Sequence, residues 1–193
     1  SSNSLHAGVV EIFVLNNARM RYSTIQNWSL DVYNLVTKRA IVYDDAKMEW
    51  VDGNIGSKVT MKYPSCILMG NNAVGNSISI AYAKEGQKLD AGAKMIHIGK
   101  NTKSNIVSKS IAKDGGIANY RGVSKIEESA INSKAVIKCD TLLLDDTSKS
   151  DTYPKNIVKN NTSTLEHEAT VSKLKKEELF YLQSKGLSEN GLY

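Results

Sequence analysis

The sequence predicts an all-β core, and three observations carry that expectation. From Val9 to about Leu144, short runs alternate apolar and polar residues with almost no 3.6-residue periodicity. Clusters of Asn, Asp and Gly punctuate those runs as turns do. Pro occurs only twice in 193 residues, so few strand edges are blocked by proline.

Ten segments read as strands. In chain order they are VVEIFV (9–14), ARMRYSTIQNWS (18–29), VYNLVTKRAIVY (32–43), KMEWVD (47–52) and SKVTMKYPSCILMG (57–70). SISIAYA (77–83), KMIHIG (94–99), SNIVSKSIA (104–112), ANYRGVSKI (118–126) and AVIKCDTLLLD (135–145) follow. Asn16-Asn17, Asp44-Asp45, Asp52-Gly53, Gly70-Asn71-Asn72 and Asp114-Gly115-Gly116 supply turns between them. A sandwich, a barrel and a parallel solenoid all remain open on this pattern. Ladder-like runs of small and β-branched residues, as in SNIVSKSIA, suit a solenoid whose coils stack like on like, although the repeat is too degenerate for its period to be read. After Ser172 the character changes. KLKKEELFYLQSKG places Leu174, Leu179, Phe180 and Leu182 on one short amphipathic helix, with Gly186 as its stop and Leu187 beyond it. Such a helix is too short to stand alone and needs a packing partner. Ser188-Glu189 reads as the start of a further helix. The expected division is a β core over 1–171 and the beginning of a helical region over 172–193, truncated at its end.

Composition narrows the function. Hydrophobic content of 41% and charged content of 23% are those of an ordinary globular protein. No apolar run approaches the roughly 20 residues that span a bilayer, and SSNSLHAGVVEIF lacks the basic and apolar regions of a signal peptide. The net charge of +5 invites a nucleic-acid reading, but the lysines are scattered singly beside acids, and two Trp and two Phe offer little for base stacking. Cys66 and Cys139 stand far apart and form no disulfide framework, which fits a reducing, intracellular compartment. No GxxxxGK[ST] loop exists; between Gly92 and Gly99 there are six residues instead of four, so the chain is not expected to hydrolyse nucleotides itself.

The candidate chemistry centres on Cys139 and LEHEA (165–169). A thiol, the imidazole of His167 and the carboxylates of Glu166 and Glu168 are ligands suited to iron or zinc, provided the backbone stacks them together. A functional thiol needs a depressed pKa or a metal, and Lys138 beside it points to the opposite face of a strand. In an extended strand Glu166 and Glu168 share one face and His167 takes the other; read alone, LEHEA is more simply a surface turn of mixed charge. His97, in KMIHIG, reads as a hydrogen-bonded core residue and Cys66 as core packing. Thr24, Gln26 and Trp28 share one face of a strand, where outer exposure is the simpler reading and an inward polar passage the sharper one. Asp44-Asp45 and Asp145-Asp146 read as turn acids, with an acid–base pair for sugar chemistry as the alternative.

RYSTIQNWS, DVYNLVTKRA, KMEWVDGNIGSKVTMKYPSCILMG, DAGAKMIHIGKNT, CDTLLLD, SDTYP, LEHEA and LFYLQSKGLSE together resemble the SufB/SufD family of the SUF iron–sulfur assembly machinery, its SufB branch in particular. The resemblance runs from about Ser4 to Glu189. It implies a right-handed parallel β-helix followed by a helical region that docks the ABC-type ATPase SufC, and pairing with SufD or a second SufB copy. A transient iron–sulfur cluster would be assembled from persulfide sulfur delivered by a SufE- or SufU-type donor, with ATP used only by SufC. Carried onto this sequence, Cys139 matches the cluster-building cysteine, and Glu166, His167 and Glu168 match the acidic/His ligand motif. Thr24, Gln26 and Trp28 match positions that line a sulfur passage. The expectation is a scaffold and not an enzyme, in a bacterial cytoplasm or a plastid or apicoplast stroma, with no nucleic-acid or membrane partner. Its alternatives are a SufD-like structural subunit or a β-helical carbohydrate-active protein.

Overall fold

A residue with left-handed backbone recurs at Asn17, Asp45, Asn72, Asn101 and Asn132, with φ between 55° and 62°. Asn and Asp tolerate this conformation better than other residues with a Cβ, and each one turns the chain into a new strand. Their side chains also tie successive turns together. Asn16 Oδ1 accepts from the Asp44 N–H (3.2 Å), Asp44 Oδ1 from the Asn71 N–H (2.6 Å) and Asn71 Oδ1 from the Lys100 N–H (3.0 Å). This ladder runs up one corner of a parallel β-solenoid of about six coils. The computed structural model describes residues 3–186.

Two parallel sheets form its walls. Sheet A stacks β1 (Ser4–Val14), β3 (Val32–Val42), the pair β5 (Val59–Lys62) and β6 (Ser65–Leu68), β8 (Lys88–His97), β10 (Ile117–Ile126) and β12 (Thr152–Val158). Sheet B stacks β2 (Arg19–Gln26), β4 (Lys47–Asn54), β7 (Val74–Ala83), β9 (Lys103–Ala112), β11 (Lys134–Leu143) and β13 (Thr164–Lys173). Inward positions of both sheets meet in a core of Met48, Trp50, Leu68, Met95, Ile106 and their neighbours. Some of the polar residues inside it are fully paired. The ring nitrogens of His97 bond the hydroxyls of Thr102 (2.8 Å) and Ser104 (2.9 Å), and burial pushes this imidazole down to about 4.

The strands differ most from the sequence reading in three places, apart from an earlier start of β1 and an earlier end of β2. SKVTMKYPSCILMG, expected as one strand, breaks at Tyr63-Pro64 because proline has no N–H for the ladder; the Ser65 hydroxyl donates to the Lys38 carbonyl nearby (3.2 Å). KMIHIG begins earlier, at Lys88, since the small residues of DAGA carry little apolar signal. Residues 152–158, not among the ten expected strands, and the LEHEA segment, read alone as a turn, are β12 and β13. These are the last strands of their sheets, largely exposed on both faces, so their apolar alternation is muted.

Beyond β13, α1 (Lys176–Ser184) has Glu177 and Glu178 in its first turn, and Gly186 follows it at φ +92°. Phe180 and Tyr181 stand exposed. Leu187 and the further helix expected from Ser188-Glu189 lie outside the described residues.

Candidate functional site

Parallel stacking in register turns each inward position into a row that runs along the solenoid axis. One row on sheet B reads Thr24, Asp52, Ser79, Ser108, Cys139, Ala169. Beside it runs Gln26, Asn54, Ala81, Ser110, Thr141. From Thr24 to Cys139 is four coils, about 19 Å at about 4.8 Å per strand. Across the interior, sheet A presents Lys38, Lys62, Ala91, Ala93 and Tyr120. A largely polar lining, faced midway by the small Ala91 and Ala93, thus connects the two sets of residues singled out in the sequence.

The Thr24 end is charged. Asp52 Oδ1 accepts from Lys38 Nζ (2.6 Å) and Lys62 Nζ (3.2 Å), and also from the Thr24 hydroxyl. Lys38 reaches Thr24 Oγ1 (2.9 Å), while Gln26 Oε1 accepts from Lys62 Nζ and Asn34 Nδ2 (2.9 Å each). Both lysines are 1% exposed and Asp52 3%. Burial raises the Asp52 carboxyl, but Lys62 and Lys38 overcome it and hold the group below its ordinary value. For Lys62 burial wins over Asp52, and its ammonium is shifted down. Three buried acceptors, Asp52 Oδ2, Asn34 Oδ1 and Asn54 Oδ1, have no protein donor among the described residues, the pattern of an interior that takes water. Thr24 and Gln26 therefore point inward, not outward. Trp28 lies past the end of β2 at the rim, where it stacks on His6 (4.7 Å between rings).

Lys38, Asp52, Lys62 and Tyr120 were missed as functional candidates. The signal was present: Lys38 sits on the apolar phase of Val32, Val36, Ala40 and Val42, and Asp52 on that of Met48 and Trp50. A charge on the core phase of a strand is buried by construction.

The Cys139 end is nearly apolar. The thiol is 5% exposed among Ile106, Ile137 and Tyr120. Burial pushes it up to about 11, with the neighbouring Asp140 adding to the rise and Tyr120 opposing it. The Tyr120 hydroxyl lies against the sulfur without a hydrogen bond of ordinary geometry, and its own ionisation is raised by burial. Gly122 makes room for that ring, since a Cβ there would stand 2.7 Å from two of its carbons. Lys138 faces outward.

His167 is inward on β13, opposite Ile137, while Cys139 pairs with Ala169. The two side chains are thus diagonal neighbours on one face, about 8 Å apart between Cα atoms from the strand spacing and rise. Asn156 Nδ2 lies 3.2 Å from His167 Nδ1, and the buried Nε2 has no protein partner. In the arrangement that has Asn156 donating, Nε2 carries the proton; turning the amide over would make Nδ1 the donor and free the Nε2 lone pair for a metal. Glu166 and Glu168 do not join them. Strand alternation places both on the outer face, where Glu166 pairs with Lys134 (2.8 Å) and Glu168 stands opposite Lys138. Among the described residues no three of His, Cys, Asp and Glu converge to hold a metal ion. Of the four residues expected as ligands, Cys139 and His167 share the inner face and Glu166 and Glu168 take the outer one.

The fold is thus a parallel β-solenoid whose inward row runs from Thr24 through Asp52 to Cys139, with His167 one diagonal away. The family model described as "SUF system FeS cluster assembly, SufBD core domain" matches residues 1–191. The chain is 59% identical over 189 residues to an iron–sulfur cluster assembly SufBD family protein of Staphylococcus saprophyticus, and 57% identical to counterparts in Staphylococcus epidermidis and Staphylococcus aureus. Each alignment covers 98% of this chain and 41% of the relative. The chain belongs to the SufBD family of the SUF iron–sulfur cluster assembly system, and it spans about two fifths of the length of those relatives. Membership leaves the carbohydrate-active alternative without support.

Proposed function

We propose that this chain is the core of a SufB-type scaffold subunit, on which an iron–sulfur cluster is assembled as cargo and then released. The observation that carries this reading is the inward row from Thr24 to Cys139, with His167 diagonally beside its end. The sulfur-transfer step balances without an external oxidant. A donor persulfide and the Cys139 thiol exchange one sulfane sulfur, giving the donor thiol and a Cys139 persulfide, with the thiol proton passing to the departing sulfur. Because the resting thiol is held near 11, transfer requires the site to open or a cation or metal to approach. Cys139 and His167 supply two ligands; the rest come from outside the described residues, as fits a loosely held cluster that must leave. The reading includes SufC as the ATP-using partner, a SufE- or SufU-type sulfur donor, and SufD or a second copy of this chain at the subunit interface. It assigns the chain no enzymatic turnover of its own. The staphylococcal relatives favour a bacterial cytoplasm over a plastid.

A second reading, a SufD-like structural subunit, draws on the raised Cys139 pKa and the incomplete ligand set. Anaerobic reconstitution of the full-length subunit with its partners separates the two. Cys139→Ala and His167→Ala, each checked for folding by circular dichroism, are expected to lose the visible absorption and Mössbauer signature of the cluster. Full cluster occupancy in Cys139→Ala establishes the structural reading instead.

A further inference from the structure

The outer face of sheet A carries a basic groove that the reading above does not use. Parallel register aligns the outward residues Arg39, Ser65, Lys94, Val123 and Lys155 in one row across β3, β6, β8, β10 and β12. Cations fall on every second coil, and the intervening Ser65 and Val123 are short and uncharged. The adjoining row is Gly92, Arg121, Tyr153, and only a glycine at position 92 fits there, since a Cβ would run into the Arg121 backbone.

The walls are built rather than incidental. Asp90, 2% exposed, accepts from the Tyr63 hydroxyl (2.9 Å) on one side and from Arg121 Nε (2.8 Å) on the other. The Arg121 guanidinium is stacked on Tyr153, 4.2 Å from the ring centre. These contacts hold two aromatic rings beside a cleft of about 590 Å³ that also touches Met61. Charge is in excess there. Of the nearby carboxylates, Asp90 is engaged by Arg121 and Glu11 stands 3.9 Å from Arg39. No described carboxylate lies within ion-pair distance of Lys94 or Lys155.

We propose that this groove docks an acidic segment of a partner protein in polyproline-II conformation, laid along the solenoid axis. The spacing selects that conformation. Two coils separate successive cations by about 9.6 Å at about 4.8 Å per strand. A polyproline-II helix has three residues per turn and rises about 3.1 Å per residue, so every third side chain returns to one face after about 9.3 Å. Over the four coils from Arg39 to Lys155 the two repeats drift apart by less than about 1 Å. In a β-strand residues i and i+3 lie on opposite faces, and an α-helix repeats a face every 5.4 Å, so neither matches. Aromatic-lined grooves are the usual receptors for such segments, and the Tyr63 and Tyr153 rings fill that role between the cations.

The test uses the full-length subunit and a fluorescent peptide with Glu at positions one, four and seven and proline between them. A second peptide of the same composition has its three Glu residues consecutive. Fluorescence anisotropy at 25 mM salt is expected to show the spaced peptide binding at least fivefold more tightly than the clustered one. Lys94→Glu with Lys155→Glu is expected to weaken it at least tenfold, with unchanged circular dichroism and cluster reconstitution. The proposal is overturned by no binding of the spaced peptide, by equal binding of the two peptides, or by binding indifferent to the double substitution. It is also overturned if inorganic triphosphate binds the groove and neither peptide does, which marks a small-anion site. Cys139 lies inside the other sheet, so these failures leave the cluster-scaffold reading standing.

Discussion

The two ends of one inward row solve the same problem in opposite ways. At Asp52 the slot holds a charge, and Lys38, Lys62 and Thr24 converge on one of its oxygens. Three coils on, at Cys139, the slot holds a weakly polar thiol among apolar neighbours and against a tyrosine hydroxyl that forms no proper hydrogen bond. Backbone, register and burial are alike at both places. The contrast teaches that the solenoid holds charges inside only where they are answered from both walls, whereas a neutral thiol sits among apolar neighbours without such partners.

The largest test of that contrast is Asp52→Ala. Two buried ammonium groups would lose their counter-charge, and unfolding in urea is expected to show a loss of about 3–5 kcal/mol. Replacing Lys38, Asp52 and Lys62 together by Met, Leu and Met is expected to restore much of it, because a buried ion cluster is worth little against apolar residues of similar volume. A loss below about 1 kcal/mol for Asp52→Ala would mean that water enters the interior and screens the lysines.

Acid offers a second comparison, between Asp52 and the neutral, fully bonded His97. The native imidazole titrates near 4 against an ordinary 6.5. Between those values the unfolded chain takes a proton that native His97 refuses, so stability is complete above about pH 6.5 and falls as the pH drops toward 4. The loss is about 3 kcal/mol at 1.36 kcal/mol per unit. Asp52 has the opposite native preference, for its charged form, and its contribution disappears only at still lower pH, as the carboxylate is protonated through its depressed value. Urea midpoints at pH 7, 5 and 4 should show the first loss in wild type and not in His97→Gln.

The smallest effect sharpens the Cys139 end. With its thiol near 11 instead of 9, native Cys139 is expected to react with iodoacetamide at pH 8 about 100-fold more slowly than in the unfolded chain. Gly122→Ala pushes Tyr120 off its seat and costs about 1–3 kcal/mol of overpacking. Mass spectrometry of the labelled peptide should find Cys139 modified faster in that variant; an unchanged rate would show that Tyr120 does not guard the sulfur.

Local chemistry was enough to read most of the strands up to β11 and turns such as Asn16-Asn17 and Asp44-Asp45, since each rests on side-chain alternation or on the backbone freedom of single residues such as Asn17 and Asp45. What no local pattern contains is register. Coils here advance by 26 to 32 residues, and the 30-residue step between β11 and β13 sets Cys139 against Ala169, with His167 one diagonal away. Stacking likewise decided that Thr24 and Cys139 share a row, that Lys38 and Lys62 close on Asp52, and that three basic residues line up on the outer wall. The sequence by itself determined which residues alternate and where the chain turns, because those are properties of a few adjacent residues. Only the tertiary structure decided which of them meet, because hydrogen-bonded register between coils is a property of the whole stack.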